Sequence, residues 1–144
     1  MTRPVDSGVI FLARIALAVL FLWGGVMKLA GYAGFVGYLQ GRGVPFVQIA
    51  APLATAVEVL GGLFLIVGFK IRPLALVMAV YAVATAILGH DFWNTTDPVM
   101  QHDMVIHFWK NIGLAGGFLL LFVTGAGRIS IDGARTPRGG LSSY

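Results

Sequence analysis

The chain has 144 residues, of which 58% are hydrophobic and 11% charged, and its mean hydropathy of +0.86 excludes a soluble globular protein. It contains no cysteine, which excludes disulfides, thiolate metal sites and cysteine-based redox relays. The net charge of +4 is spread along the chain without the basic block that nucleic-acid binding requires. We therefore expect an integral membrane protein, with the lipid bilayer as a partner and no nucleic-acid partner.

Four segments are long and apolar enough to cross a bilayer, whose hydrocarbon core needs about 20 helical residues. They cover about residues 8–30, 46–69, 73–93 and 105–125. No water reaches that depth to satisfy backbone groups, so each segment should be a helix. The sequence predicts an all-α fold in which a single domain forms a four-helix transmembrane bundle. The first segment is interpreted as a retained anchor, because its apolar run exceeds that of a signal peptide.

The connecting segments suggest how the chain lies in the membrane. Residues 31–45 combine five glycines with three aromatic residues, which favours a short interfacial or re-entrant segment. The tail from about residue 129 to 144 is rich in Gly, Ser and Arg and is expected to be flexible. The positive-inside rule places both termini in the cytoplasm of a bacterium, with the protein in its inner membrane. That orientation gives the cytoplasmic side Arg3, Lys70, Arg72, Arg128, Arg135 and Arg138, and gives the other side Lys28, Arg42 and Lys110.

Two charged residues lie within the predicted spans, where a charge costs roughly 3 kcal/mol at the bilayer centre. Arg14 is in the first span and Glu58 is near the middle of the second. Their depths differ by about 8 to 9 Å at 1.5 Å per residue, a gap that a long arginine side chain could bridge. An ion pair that fixes helix register and a functional role are both open. Without a cationic partner, Glu58 would be a candidate proton carrier.

All three histidines and half of the acidic residues fall within "GHDFWNTTDPVMQHDMVIHFWKN", residues 89–111. Metal binding would need converging ligands, and the segment has no HExxH or comparable motif. The competent side chains are His90, Asp91, His102, Asp103 and His107. Because a solvated outer loop over residues 94–103 accounts for Asp97, His102 and Asp103, we predict no metal site.

Several motifs follow one another in an order that resembles the DoxX family over about residues 8–133. They are "RIALAVLFLWGGVMKLAG", "EVLGGLFLIVGFKIRPLA", "GHDFW", "FWKNIGLAGGFLLL" and "GAGRISID", and the "FWKN" is typical of a YphA-type subgroup. The resemblance implies a small four-helix integral membrane protein. The family's name derives from a similarity to a subunit of an archaeal thiosulfate:quinone oxidoreductase, and some members are linked to oxidoreductase complexes and oxidative-stress defence. By resemblance, the recurrent polar positions are Arg14, Lys28, Glu58, His90, Lys110 and Asn111.

We hypothesise that an opening on the outer side leads into the bundle toward Glu58. Its polar lining would be Lys28, His90, Asp91, His107 and Lys110, and its apolar walls would be Trp23, Phe92, Trp93 and Trp109. The alternative for the three tryptophans is that they are anchors of the interfacial aromatic belt. No catalytic residue can be assigned.

Such a pocket could hold a quinone head group or another small polar molecule, since histidine and lysine can hydrogen-bond quinone carbonyls. The sequence has no signature for a covalent flavin, haem or iron–sulfur cluster, so a diffusible quinone is the one cofactor considered. We expect a component of a redox or oxidative-stress-related oxidoreductase system, with a membrane or peripheral oxidoreductase as partner. A solute transport or binding module, an accessory subunit of a membrane complex and a homo-oligomer remain open.

Overall fold

The computed structural model describes residues 4–135. These residues form the helices α1 (Pro4–Ala30), α2 (Tyr32–Gly41), α3 (Val47–Val67), α4 (Ile71–Gly89), α5 (Pro98–Thr124) and α6 (Ile131–Arg135), with a 3-10 turn at Phe92–Asn94. Helices α1, α3, α4 and α5 are each long and apolar enough to cross a membrane. The predicted all-α fold, a four-helix membrane bundle, is confirmed.

The two ends of the bundle carry different additional helices. We call the end at which α1 begins and α5 ends the proximal end, and the opposite end, at which α1 ends and α5 begins, the distal end. Helix α2 and the 3-10 turn belong to the distal end, whereas α6 follows α5 at the proximal end. The stretch predicted to be interfacial or re-entrant, residues 31–45, contains α2.

Helix α5 begins at Pro98, about seven residues before the predicted start of the fourth span. The carboxylate of Asp97 accepts a hydrogen bond from the backbone N–H of Met100 at 2.8 Å, which is a helix N-cap. Pro98 occupies the first turn, where its missing N–H removes no helical bond. His102 and Asp103 therefore lie exposed on the first turns of α5 rather than in a loop.

The segment after α5 folds back onto the proximal end. The carboxylate of Asp132 accepts hydrogen bonds from the backbone N–H groups of Lys70 and Ile71 at 2.9 and 2.8 Å, and so caps the beginning of α4. The predicted flexible tail thus begins with an ordered turn and α6. The remainder of that tail, residues 136–144, lies outside the described residues.

The four spans pack as two pairs. Helix α1 packs along α3 and α4 packs along α5, while α3 and α4 contact each other at fewer positions. The ring of Phe21 joins the pairs, with its centroid 5.4 Å from that of Phe118 and 6.3 Å from that of Tyr81. On α1, Arg14, Ala18, Phe21 and Gly25 are three or four residues apart, so they share one face of the helix, and all four are buried.

Glycines permit close approach within the α1–α3 pair. A Cβ atom on Gly25 would lie 2.7 Å from Cγ2 of Val59, and one on Gly62 would lie 2.5 Å from Cγ of Leu22. The GxxxG pair of α5 is different, because a Cβ atom on Gly113 or Gly117 would meet nothing within 4 Å. Among the described residues, these α5 glycines therefore do not mark a close approach of two helices.

These environments predict opposite effects of adding one methyl group. We expect Gly25→Ala to lower the free energy of unfolding by about 1–3 kcal/mol, because Val59 and its backbone cannot move aside freely. Gly113→Ala should be neutral or raise it by about 0.5–1 kcal/mol, since alanine is the better helix former. Unfolding by SDS in detergent micelles, followed by circular dichroism, measures both. Equal losses in the two variants would contradict the packing described.

Candidate functional site

Glu58 is the centre of the polar contacts within the spans. Its side chain lies near the middle of α3 and is buried. The ammonium of Lys28 donates to both carboxylate oxygens, at 2.9 and 2.7 Å, and the hydroxyl of Tyr81 donates to Oε1 at 2.7 Å. The carboxylate therefore holds together α1, α3 and α4.

The sequence around this contact makes room for it. A Cβ atom on Gly24 would lie 2.9 Å from Oε2 of Glu58 and 3.6 Å from Nζ of Lys28, so a side chain there would press on the ion pair. The ring of Phe35, on α2, lies 5.2 Å from the Lys28 ammonium and covers it by a cation–π contact.

Two histidines stand beside this ion pair. The rings of His90 and His107 are stacked with centroids 5.1 Å apart, and Nζ of Lys110 lies 3.1 Å from Nδ1 of His107. Lys110 also interacts electrostatically with Lys28 and Glu58. We call this set the distal polar cluster: Lys28, Glu58, Tyr81, His90, His107 and Lys110.

The distal polar cluster has more donors than acceptors. Its two lysines carry two positive charges, against one negative charge on Glu58. Nδ1 of His90 is buried and has no hydrogen-bond partner among the described residues. A buried polar atom without a partner costs about 1–3 kcal/mol, and Nδ1 of His90 can donate in one tautomer of its ring. Because the two ammonium groups only donate, a ligand with acceptor oxygens fits this environment better than a cation does.

Asp91 does not belong to this cluster, although the sequence placed it in the same opening. Its carboxylate accepts from Nη1 of Arg42 at 2.7 Å and from Nδ2 of Asn94 at 3.0 Å, and the same Nη1 donates to Thr95 at 3.1 Å. These residues line a separate surface hollow of about 460 Å³. Asp91 turns toward it because Arg42, at the end of α2, supplies the counter-charge.

Arg14 lies at the proximal end and does not pair with Glu58. Its guanidinium is fully buried and donates to the carbonyls of Ala126, Ile129 and Ile66 at 2.7, 2.8 and 3.3 Å. The Arg14–Glu58 ion pair that the sequence left open is not formed, because side chains on a helix lean toward its N-terminus. That lean directs Arg14 toward the proximal end, away from Glu58. It also directs Lys28, near the end of α1, toward Glu58.

The predicted aromatic walls face mostly outward. The side chains of Trp23, Trp109 and Trp93 are 67%, 61% and 52% exposed, which fits anchors of an interfacial belt. Phe92 packs with its ring centroid 5.4 Å from that of Phe108. Asn111 is buried, and its amide donates to the carbonyl of His107 at 3.1 Å within its own helix.

No three His, Asp or Glu side chains converge in a way that could hold a metal ion among residues 4–135. Sequence reasoning missed Tyr81, Arg42 and Phe108. Tyr81 had a usable signal, because a tyrosine in the middle of an apolar span is far from the interfacial belts where tyrosines are enriched. Arg42 had none, since its partner is set by the position of α2.

The chain matches the DoxX family over residues 9–91, which include Lys28, Glu58, Tyr81 and His90. The chain belongs to the DoxX family. Among curated relatives, inner membrane protein YphA of Escherichia coli (strain K12) is 40% identical over 130 residues, covering 90% of each chain. Inner membrane protein YqjF of the same strain is 39% identical over 132 residues, covering 92% of this chain and 95% of YqjF. No solved structure matches significantly.

These relatives and the four membrane-spanning helices support a bacterial multi-pass inner membrane protein. The predicted family is confirmed. The DoxX match ends at residue 91, so His107 and Lys110 of the distal polar cluster lie beyond it.

A double-mutant cycle tests the cluster of this DoxX protein. Lys28→Met and Glu58→Gln should each destabilise the fold, and their combination should be less harmful than the sum by about 1–3 kcal/mol, because each single change leaves a buried partner uncompensated. The measurement is SDS-induced unfolding of the four proteins. The matched control is the cycle of Arg14→Met with Glu58→Gln, which should be additive within about 0.5 kcal/mol. Coupling in the control cycle but not in the first would contradict the Lys28–Glu58 ion pair.

Proposed function

We propose that this DoxX protein binds the head group of a quinone, or of a similar small polar molecule, at the distal polar cluster. The observation that carries the proposal is Nδ1 of His90, which is buried beside His107 and Lys110 and has no partner in the part of the chain that the structure describes. Histidine and lysine N–H groups suit the carbonyl oxygens of a quinone, and Lys110 has further N–H groups beyond the one directed at His107.

Each residue would have a limited task. His90 and Lys110 would donate to the head-group oxygens, while the bonds of Lys28 and Tyr81 to Glu58 would fix the helices around it. A bound quinone would supply the two-electron chemistry, and the electrons would have to come from a partner oxidoreductase. The association with a redox or oxidative-stress system rests on the family resemblance, and the binding site rests on the geometry.

We also propose that the distal end faces away from the cytoplasm. Lys70, Arg72, Arg128 and Arg135 all belong to the proximal end, and a positive excess is typical of the cytoplasmic side. A ligand would then bind in the outer half of the membrane.

Binding can be measured by the quenching of tryptophan fluorescence, since Trp109 adjoins Lys110 in the sequence. A decyl-substituted benzoquinone, added to the protein in lipid nanodiscs, should quench saturably. His90→Leu and Lys110→Met should each raise the Kd about tenfold, the effect of losing roughly 1.4 kcal/mol of hydrogen bonding. His102→Leu, which changes an exposed histidine of α5, is the control and should bind as the parent does. Lack of saturable quenching in the parent protein would refute the proposal.

Topology can be tested with reporter fusions. Alkaline phosphatase inserted after Thr96, between the 3-10 turn and α5, should be active because the positive proximal end retains the termini in the cytoplasm. A green fluorescent protein fused to the C-terminus should fluoresce. The reverse pair of activities would show that the orientation is inverted.

A further inference from the structure

Helix α2 closes the distal end of the bundle over the polar cluster. The hydroxyl of Tyr38 donates to the carbonyl of Gly89, the residue before His90. Arg42, just beyond α2, pairs with Asp91 at 2.7 Å, and both side chains are largely buried, with 14% and 12% exposed. Together with Phe35, which covers Lys28, these contacts tie α2 to α1, to the end of α4 and to the 3-10 turn. A molecule arriving from water at this end would have to displace them.

The side of the bundle between α1 and α5 is more open. Among the described residues, α1 packs on α3 and α4 on α5, but α1 and α5 approach each other at few positions. The rings of Phe21 and Phe118 meet between them in a tilted arrangement, with centroids 5.4 Å apart. On the distal side of these rings stand Lys28 from α1 and Lys110 from α5. We call this gap the lateral seam.

The distal polar cluster reaches the surface at the lateral seam. Lys110 is exposed although it interacts with the buried Glu58 and with Lys28, so the cluster is accessible at Lys110. Gly117 lies two turns further along the same stripe of α5, with nothing within 4 Å of where a Cβ atom would be. An apolar chain could lie along α5 at Gly117 while its polar head reached Lys110.

We propose that the distal polar cluster takes its ligand sideways from the bilayer, through the lateral seam, and that the ligand is a membrane-dissolved molecule with acceptor oxygens on its head and an apolar tail. The inference rests on the proposed function and adds the route and the class of ligand. Lys110 lies near the middle of α5, a helix long enough to cross a bilayer, so the seam there would border hydrocarbon and favour a molecule that partitions into lipid.

The test uses two changes that close the two routes separately. Because the chain has no native cysteine, Arg42→Cys with Asp91→Cys can be joined by a flexible bismaleimide, which tethers α2 shut; the same variant without the linker is its control. Gly117→Leu fills the lateral seam. Its matched control is Gly116→Leu, since Gly116 also has nothing within 4 Å but lies on the neighbouring, exposed stripe.

The probe is the decyl-substituted benzoquinone in nanodiscs, with association followed by stopped-flow quenching. We expect Gly117→Leu to slow association about fivefold or more while Gly116→Leu and the tethered protein bind at nearly the parent rate, because blocking an entry path lowers the association rate constant. The same benzoquinone without its decyl chain should bind more weakly to every variant. Displacement of the probe by phosphatidylglycerol in the nanodisc would support the lateral route and assign the head group to a phospholipid.

Two outcomes would overturn the inference, and they differ. If the tether abolishes binding while Gly117→Leu behaves as Gly116→Leu does, the ligand enters past α2, and quinone binding itself stands. If the parent protein binds neither benzoquinone, the lateral route falls together with the proposed function. Circular dichroism and monodisperse elution of each variant separate a blocked seam from a failure to fold.

Discussion

A carboxylate within a bilayer must find its counter-charge inside the protein, and the rest of this structure depends on how Glu58 does so. Its three hydrogen bonds come from Lys28 on α1 and Tyr81 on α4, so one group fixes the relative positions of three spans. The hydrophobic effect cannot order these helices, because lipid tails are as apolar as the side chains that meet them. Polar contacts and the close approach at Gly25 carry that task instead.

The fold class could be predicted from the sequence because it follows from composition and from the lengths of apolar runs. The polar residues of the site were also visible, since Lys28, Glu58 and Lys110 stand out in or beside apolar spans. Which of these residues pair with each other could not be predicted. Arg14 and Glu58 are close enough in depth to suggest a bond, but the lean of side chains toward a helix N-terminus sends Arg14 to backbone carbonyls at the other end.

Other differences have equally local causes. The predicted start of α5 was too far along the chain because the hydropathy of its first turns is low. Asp97 followed by Pro98 is nevertheless a helix-start signal in the sequence. The placement of Asp91 depended on where α2 brings Arg42, which no pattern in the chain specifies. The sequence therefore predicted which residues share a face of one helix, whereas only the structure showed which residues of different helices contact each other.

The two ends of the bundle satisfy their cations in different ways, and the difference bears on function. At the proximal end, three backbone carbonyls accept hydrogen bonds from Arg14 and Asp132 interacts with it electrostatically, although Nε of Arg14 is buried without a partner among the described residues. At the distal end, Lys110 has His107 as its hydrogen-bond partner and lies at the surface, and Nδ1 of His90 in the same cluster is buried without a partner among the described residues. Unsatisfied donors are costly in a membrane unless something occupies them. The cation of the proximal end is thus held by carbonyls of the chain itself, whereas the two lysines of the distal cluster share one carboxylate, which suits that end to a further acceptor.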